Sequence, residues 1–364
     1  MTVKLSPCES PVVSQFSQQQ SEAIQSTDIK VAKVIFTGND TSNILWLGKY
    51  KGRCLSLWKR DYSFPNVPYK ILTTKNIDVN PSDVCSISAN KVCVSYCDGH
   101  LDILNTATDD IALLKKISSV HDECESRKIC VFENSIISAS TNGSLVLVDV
   151  ETGSSSTISS GQACIRSLCQ ATGSKLVVTG TSTGQISVWD LRDKNSEVEI
   201  IEPLKHLLPS KKSLDAVSAL AEHPAQTNLI SCGTDDGLVG AVDLRNGENA
   251  FISSTYLVFN KGVTQVMFPK GNSESLVCSS NDGSIIRLDA SRIPMVGTNR
   301  VSKDNVWLCS DQIAENLRVN PIRSENVYPI SSFDCRDDTI VASSEIGFIS
   351  LFENLPFLPK ASLF

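Results

Sequence analysis

Seven repeats of one short pattern constrain the fold of this chain more than any other feature. Each repeat has an apolar strand-like run, a tight turn that ends in glycine, and a second apolar run. Subtracting successive glycine positions gives spacings of 47, 44, 41, 53, 46 and 64 residues, and a propeller blade takes about 40 to 45 residues. Glycine suits such turns because it adopts a positive φ without the steric cost of a Cβ. The turns are Tyr50-Lys51-Gly52, Cys97-Asp98-Gly99, Thr141-Asn142-Gly143, Ser182-Thr183-Gly184, Asp235-Asp236-Gly237, Asn281-Asp282-Gly283 and Glu345-Ile346-Gly347. The pattern predicts an all-β fold, a single seven-bladed β-propeller.

The runs around these turns predict four strands in each blade. The two runs that flank a turn are rich in apolar and β-branched residues, which is typical of buried middle strands. Candidates for the innermost strands lie upstream, at residues 83–88, 128–132, 216–221, 263–268 and 330–335. Outer strands are predicted at residues 68–74 and 249–254.

The end of the chain indicates how the ring closes. Residues 347–353 complete the third strand of the last blade, and only an 11-residue tail, 354–364, follows. We expect an N-terminal strand at residues 11–17 to supply the fourth strand, since an unpaired sheet edge promotes aggregation. The predicted organisation is therefore an N-terminal segment, 1–28, a propeller over 29–353 and the tail. Insertions are predicted at about 193–214 and 291–326, each with an outer strand plus a loop.

Composition favours protein partners over other ligands. The 364 residues are 41% hydrophobic and 20% charged, which is enough apolar side chain for a large core. A net charge of −7 opposes nonspecific binding to nucleic acid or anionic membrane, because both require a cationic face. No apolar run reaches the roughly 18 residues that a membrane span needs, so we expect no membrane insertion. The first 20 residues lack the apolar segment of a secretion signal, which predicts a nucleocytoplasmic protein.

Motifs for chemistry are weak. Gly180-Thr181-Ser182-Thr183-Gly184 matches the nucleophile-elbow pattern G-x-S-x-G, but that elbow connects a strand to a helix, and here the predicted turn joins two strands. The groups Cys93, Cys97 and His100, and His121, Cys124 and Cys130, lack the paired spacing of zinc ligands. No phosphate-binding glycine motif is present. We therefore predict no catalytic residue, metal ligand, cofactor or small-molecule substrate.

One aromatic residue is a candidate for partner binding. Trp307 stands among polar neighbours in the second insertion and is followed by Leu308. Two interpretations are open: the indole folds back onto its own blade, or Trp307 and Leu308 anchor a partner protein. An interface Trp that is truncated commonly costs about 2 kcal/mol or more of binding energy.

The strands resemble those of the WD-repeat family, most clearly at Val188-Trp189-Asp190-Leu191. Degenerate versions of the Trp-Asp pair occur at Val242-Asp243, Val148-Asp149 and Leu288-Asp289. With four histidines in the chain, the family's histidine-to-aspartate hydrogen-bond network cannot recur in every blade. The resemblance implies a WD40-type propeller whose blades pack less regularly.

From about residue 215 the chain is similar to a narrower family, the single-propeller nucleoporins of about forty-three kilodaltons in the Y-shaped outer-ring complex of the nuclear pore. The residues that carry this similarity are Glu222-His223-Pro224, Gly233-Thr234-Asp235-Asp236-Gly237, Asp243-Leu244-Arg245, Asn281-Asp282-Gly283-Ser284 and Leu288-Asp289-Ala290-Ser291, followed by the late insertion. The resemblance implies a structural scaffold at the nuclear envelope, needed for pore assembly and for protein and mRNA transport. Its implied partners are helical-solenoid and propeller nucleoporins, and in some lineages the complex visits kinetochores.

Two other function classes stay open on the residues alone. The chain could be a WD-repeat adaptor of a ubiquitin ligase or chromatin complex, which co-purification would distinguish. It could also be a propeller hydrolase similar to the WD-repeat methylesterases of diphthamide synthesis, which would need Ser182 or another nucleophile beside a base in the central channel.

Overall fold

The computed structural model describes residues 21–27, 29–63, 68–161, 163–171, 173–192, 197–201, 215–244, 255–293, 306–308, 316–324 and 328–355. Their strands form seven four-stranded antiparallel sheets. The strands are β1 (Ser21–Ser26), β2 (Lys30–Thr37), β3 (Asn43–Lys49), β4 (Cys54–Arg60), β5 (Tyr69–Asn76), β6 (Pro81–Ser88), β7 (Lys91–Tyr96), β8 (Leu101–Asn105), β9 (Ala112–Ile117), β10 (Ser126–Phe132), β11 (Ser135–Ser140), β12 (Ser144–Asp149), β13 (Ser155–Ser160) and β14 (Ile165–Gln170). They continue with β15 (Leu176–Thr181), β16 (Ile186–Asp190), β17 (Glu197–Ile201), β18 (Val217–Glu222), β19 (Leu229–Thr234), β20 (Leu238–Asp243), β21 (Thr255–Val258), β22 (Val263–Met267), β23 (Ser275–Ser280), β24 (Ile285–Asp289), β25 (Arg318–Arg323), β26 (Ile330–Arg336), β27 (Thr339–Ser344) and β28 (Phe348–Glu353). Two short 3₁₀ turns lie at Tyr50–Gly52 and Val306–Leu308.

Each sheet is one blade of a propeller, which confirms the predicted fold class. Blades 1 to 6 take four consecutive strands each, from β2–β5 to β22–β25, and blade 7 contains β26, β27, β28 and β1. The first strands of successive blades pack against one another all the way round, because each blade covers an apolar face of the next. The buried side chains of the described residues form seven clusters, and each cluster draws on two neighbouring blades.

An N-terminal strand closes the ring, as predicted, but it comes from a different segment. β1 pairs antiparallel with β28, from Ser21 opposite Glu353 to Ser26 opposite Phe348. The predicted segment, 11–17, lies outside the described residues. The sequence Ser21–Ser26 contains only two apolar residues, Ala23 and Ile24. An outer strand needs little apolar surface, which is why hydrophobicity alone pointed to the wrong stretch.

Each of the two predicted insertions, at about 193–214 and 291–326, contains an outer strand. β17 pairs with β16 and β25 pairs with β24, so each predicted insertion contributes an outer strand. In blade 5 the outer strand is β21, which pairs with β20. The outer strand predicted at 249–254 falls outside the described residues.

Six of the seven predicted turn glycines have the expected positive φ, and the first turn differs. Gly99, Gly143, Gly184, Gly237, Gly283 and Gly347 have φ between 82° and 93°. In the first turn Tyr50 takes the left-handed conformation instead, with φ 65°. Gly52 is needed there for space, since a Cβ at this position would lie 2.7 Å from Cγ1 of Ile29. The antiparallel order of strands places all seven turns at one end of the ring, which we call the Gly-turn face.

Candidate functional site

Polar side chains on the inner strands tie neighbouring blades together around the central channel. The Gln265 side chain donates to the Phe333 carbonyl at 2.8 Å and accepts from the Phe333 N–H at 3.2 Å. Asp334 accepts the Phe36 N–H at 2.9 Å, across the junction of blades 7 and 1. Ser167 donates to the Val217 carbonyl at 2.8 Å. These bonds satisfy buried backbone groups and regularise blade packing without a repeated histidine-to-aspartate network.

The described residues form only part of the hydrogen-bond network that is typical of WD repeats. In blade 4 the Trp189 Nε1–H donates to Thr179 Oγ1 at 3.0 Å, while Asp190 pairs with Arg192 and not with a histidine. In blade 3 both ring nitrogens of His121 lie 2.7 Å from serine hydroxyls, those of Ser144 and Ser138. Burial lowers the pKa of His121 to about 4, although Asp122 opposes the shift. His121 is therefore a neutral structural residue near pH 7.

The central channel is lined by charged side chains from blades 1, 2 and 3 and by Glu222 of blade 5. It encloses about 240 Å³, and Lys33, Asp83 and Lys128 line it. Lys33 and Asp83 form an ion pair, and the other Asp83 oxygen accepts the Ile129 N–H at 3.0 Å. Burial works to raise the pKa of Asp83, but Lys33, Lys128 and the Ile129 N–H hold that pKa below its usual value. Asp83 is thus a paired carboxylate and a poor general base.

Three buried thiols of blades 2, 3 and 4, those of Cys93, Cys130 and Cys169, are held in the protonated form. Cys85 and Cys93 lie opposite each other on β6 and β7. A hydrogen bond with Cys85, together with burial, raises the pKa of Cys93 well above its ordinary value. Burial does the same for Cys130 and Cys169. Since the thiolate is the nucleophile, these cysteines behave as small packing groups.

The G-x-S-x-G sequence forms an ordinary turn between strands. Gly180 and Thr181 end β15, and β16 begins at Ile186. The Ser182 N–H donates to the Cys164 carbonyl at 2.9 Å, which ties the turn to the connection between blades 3 and 4. A nucleophile elbow needs a helix after the serine, and a strand follows here. This geometry fits a non-enzymatic scaffold.

The two cysteine-histidine groups do not form metal centres in the part of the chain that the structure describes. No group of three or more His, Cys, Asp and Glu side chains there is placed to hold a metal ion. His100 bonds to Asp98 and stacks on Tyr96, with ring centroids 4.0 Å apart.

In the ranges of the chain that the structure describes, no helix is long and apolar enough to cross a membrane.

Trp307 is buried in the apolar core of the propeller. Its side chain is 0% exposed, its ring meets Phe268 edge-on with centroids 5.6 Å apart, and its Nε1–H donates to the Ser273 carbonyl at 2.8 Å. Phe268 and Ser273 belong to the same blade as Trp307. The indole therefore packs onto its own blade, the first of the two interpretations, and is not exposed to a partner. The side chain of Leu308 lies outside the described part of the structure, so its role in binding stays a prediction.

The exposed apolar residues are the surface feature that the sequence patterns missed. Single exposed apolar side chains are common, and five of these belong to blades 7 and 1. A periodicity argument cannot find them, because they lie on turns and outer strands. The large exposed apolar residues in the described ranges are Ile24, Tyr50, Tyr62, Ile71, Leu113, Leu114, Val319 and Ile346.

Comparison with known proteins gives two kinds of match. Residues 113–303, just over half of the chain, match the β-propeller family described as "Nucleolar protein 10-like, N-terminal domain". A nuclear pore complex protein nup43 of Dictyostelium discoideum is 25% identical over 134 residues, which are 37% of this chain and 30% of that protein. The nucleoporin Nup43 of Mus musculus is 28% identical over 116 residues, and that of Homo sapiens is 30% identical over 115 residues. Each of these two matches covers 32% of this chain and 28% of the relative.

Proposed function

This chain belongs to the β-propeller family described as nucleolar protein 10-like, N-terminal domain, and from that premise we propose that it is a structural scaffold subunit of the nuclear pore complex. In this role it binds other proteins of the Y-shaped outer-ring subcomplex, among them helical-solenoid and propeller nucleoporins. The observation that supports this most directly is its similarity to three nucleoporins from slime mould, mouse and human.

The structure supports a binding role in physical terms. A ring closed by its own N-terminal strand is rigid, because every blade packs between the preceding blade and the following one. A rigid surface loses little conformational entropy on binding. The thiols of Cys93, Cys130 and Cys169 are protonated, and the one serine motif is a strand-to-strand turn. Fold alone does not assign a partner, so the nucleoporin assignment depends on the similarity.

Localisation and co-purification test the proposal together. We expect the tagged chain to concentrate at the nuclear rim and to recover outer-ring nucleoporins in stoichiometric amounts. Recovery of ubiquitin-ligase or chromatin subunits in their place would contradict the pore assignment. The family description names a nucleolar protein, so concentration in the nucleolus without rim signal would instead support a nucleolar role.

A serine substitution separates scaffolding from catalysis. We expect Ser182→Ala to leave rim localisation and co-purification unchanged, since the hydroxyl is exposed and the turn is held by backbone bonds. Loss of function in a Ser182→Ala chain that melts at the wild-type temperature would favour the hydrolase class. The kinetochore role is tested by the same tag in mitotic cells.

A further inference from the structure

Two lysines that line the channel, Lys33 and Lys128, have two further cations near them, Lys49 and Arg127, in a chain whose net charge is −7. Lys33 lies on β2, Lys49 ends β3, and Arg127 and Lys128 lie on β10. All four are partly exposed. We call this group the mouth cations; it belongs to blades 1 and 3 and lies toward the Gly-turn face.

Few ion pairs engage the mouth cations. Asp83 pairs with Lys33, and its second oxygen is taken by the Ile129 N–H. Arg127 has one long contact, 3.9 Å to Glu125. Lys49 and Lys128 form no ion pair within the described residues. Burial lowers the pKa of Lys128, and the other three mouth cations lower it further, against the opposing effect of Asp83. Lys49 and Lys128 are therefore available to pair with carboxylates of a partner.

Two exposed apolar side chains lie on the same face. Tyr50 is 61% exposed and Ile346 is 47% exposed, and they occupy the Gly-turns of blades 1 and 7. Ile29 lies between those turns: a Cβ at Gly52 would meet its side chain, and a Cβ at Gly347 would meet its backbone. These two turns and the wedged Ile29 form one continuous surface beside Lys49.

The position of Tyr50 is held by specific contacts. Its N–H donates to Asn80 Oδ1 at 2.9 Å, and the Lys30 ammonium lies over its ring, 5.2 Å from the centroid. Its left-handed backbone is one that glycine would adopt more easily. Strained residues of this kind concentrate at functional positions. A large aromatic ring is thus held outward at a place where a small residue would fold more readily.

We propose that the Gly-turn face of blades 7, 1 and 3 binds an acidic segment of a partner protein. Carboxylates of the segment pair with the mouth cations, and an apolar side chain packs on Tyr50 and Ile346. A protein segment fits better than a phosphate polyanion because the phosphate has no use for the two apolar side chains. Charge complementarity of this kind steers association and fixes orientation. That the partner is a nucleoporin rests on the proposed function; the surface chemistry does not.

A peptide-binding experiment tests the surface on the purified full chain. The probe is the labelled decapeptide Ac-DEELFDEELD-NH₂, and its control is the analogue with every Asp and Glu changed to Asn and Gln. We expect binding of the acidic probe only. The double variant Lys49→Glu with Arg127→Glu should weaken it by about tenfold or more, and Tyr50→Ala should weaken it by at least about fivefold.

A charge reversal on the opposite face is the matched control. Lys175→Glu, between β14 and β15, should change affinity less than about twofold, as expected for an exposed charge remote from the site. Melting curves keep the comparison to folded chains, and Lys49→Gln with Arg127→Gln is the milder replacement if the reversal unfolds the ring. Equal binding of both probes would overturn the proposal. The proposal would also be overturned if inositol hexakisphosphate displaced the acidic probe and bound the wild-type chain and Tyr50→Ala with equal affinity.

Zero-length cross-linking tests the same surface in cells and separates this proposal from the pore assignment. A carbodiimide joins an ammonium to a carboxylate in direct contact, so we expect links from Lys49 or Lys128 to Asp or Glu of a co-purified partner. Rim localisation without peptide binding or such links would overturn the acidic-segment proposal and leave the scaffold role. If the chain binds the peptide through Lys49 but is absent from the nuclear rim, the acidic-segment proposal stands and the scaffold role at the pore is contradicted.

Discussion

Arg60 and Glu353 join the first and last blades, with Arg60 Nη2 only 2.5 Å from Glu353 Oε2. The arginine comes from the end of β4 and the glutamate from the end of β28. Next to this pair the Gln25 side chain forms two hydrogen bonds with the backbone of Tyr69, at 3.1 and 3.2 Å. The seam of the ring is thus held by side chains as well as by the β1–β28 ladder.

Removing the carboxylate at the seam should destabilise the ring. The Arg60 side chain is 11% exposed, so Glu353→Gln leaves a largely buried guanidinium with a weaker partner. We expect the free energy of unfolding to fall by about 1 to 2 kcal/mol. Glu345→Gln, an exposed turn residue, is the control and should change stability by less than about 0.5 kcal/mol. Equal effects of the two substitutions in denaturant melts would contradict the assignment of the seam.

Truncation should locate the closing strand. Deleting residues 1–20 leaves β1 intact, so we expect little change in the melting temperature. Deleting residues 1–26 removes β1 and exposes the edge of β28, and the melting temperature should fall by roughly 10 °C or more. A sharp fall with the shorter deletion would show that residues before Ser21 also hold the ring together.

Two glycine substitutions separate backbone strain from crowding. Gly38 and Gly237 both have positive φ, but an added Cβ meets nothing within 4 Å at Gly38 and lies 2.4 Å from the Phe259 carbonyl oxygen at Gly237. Gly38→Ala should cost about 1 to 2 kcal/mol from backbone conformation alone. Gly237→Ala should cost more, because blade 5 must shift against the connection to blade 6. Chemical denaturation of the two variants measures the difference.

Acid should destabilise the fold through His121. Its pKa is about 4 in the folded chain because of burial, against an ordinary value of about 6.5 in the unfolded chain. The unfolded state therefore binds a proton more readily between these pH values, and stability falls as the pH drops from about 6.5 toward 4. The full effect is on the order of 3 kcal/mol. In His121→Gln the loss of stability between pH 7 and pH 4.5 should be smaller; an unchanged pH dependence would contradict this account.

Trp307 should matter for stability and not for binding. Trp307→Ala removes a fully buried ring and should lower the free energy of unfolding by about 3 to 5 kcal/mol. Trp307→Phe keeps most of the apolar volume and loses the hydrogen bond to Ser273, so a cost of about 1 to 2 kcal/mol is expected. Partner recovery with Trp307→Phe should equal that of the wild type. A folded Trp307→Phe chain that loses its partners would restore the docking-anchor interpretation.

Local patterns predicted the blades well. A strand, a turn and a second strand are specified by neighbours in sequence, so the middle strands and the turn glycines from Gly99 to Gly347 could be identified from residue type alone. The outer strands were harder, because a strand such as β1 buries little and has few apolar residues. Tyr50 was harder still, since a left-handed tyrosine contradicts the rule that favours glycine in such turns.

What the sequence by itself determined is the repeat: seven units, each with a buried pair of strands and a turn, which can bury their faces only by stacking on one another. The tertiary structure decided which segment closes the ring, where Trp307 lies, and which charges meet. Lys33, Lys49, Arg127 and Lys128 are up to 95 residues apart in sequence and become neighbours only when blades 1 and 3 face the same channel. Local sequence propensity cannot predict that these four charges become neighbours, because the electrostatic energy of a charge depends on what surrounds it after folding.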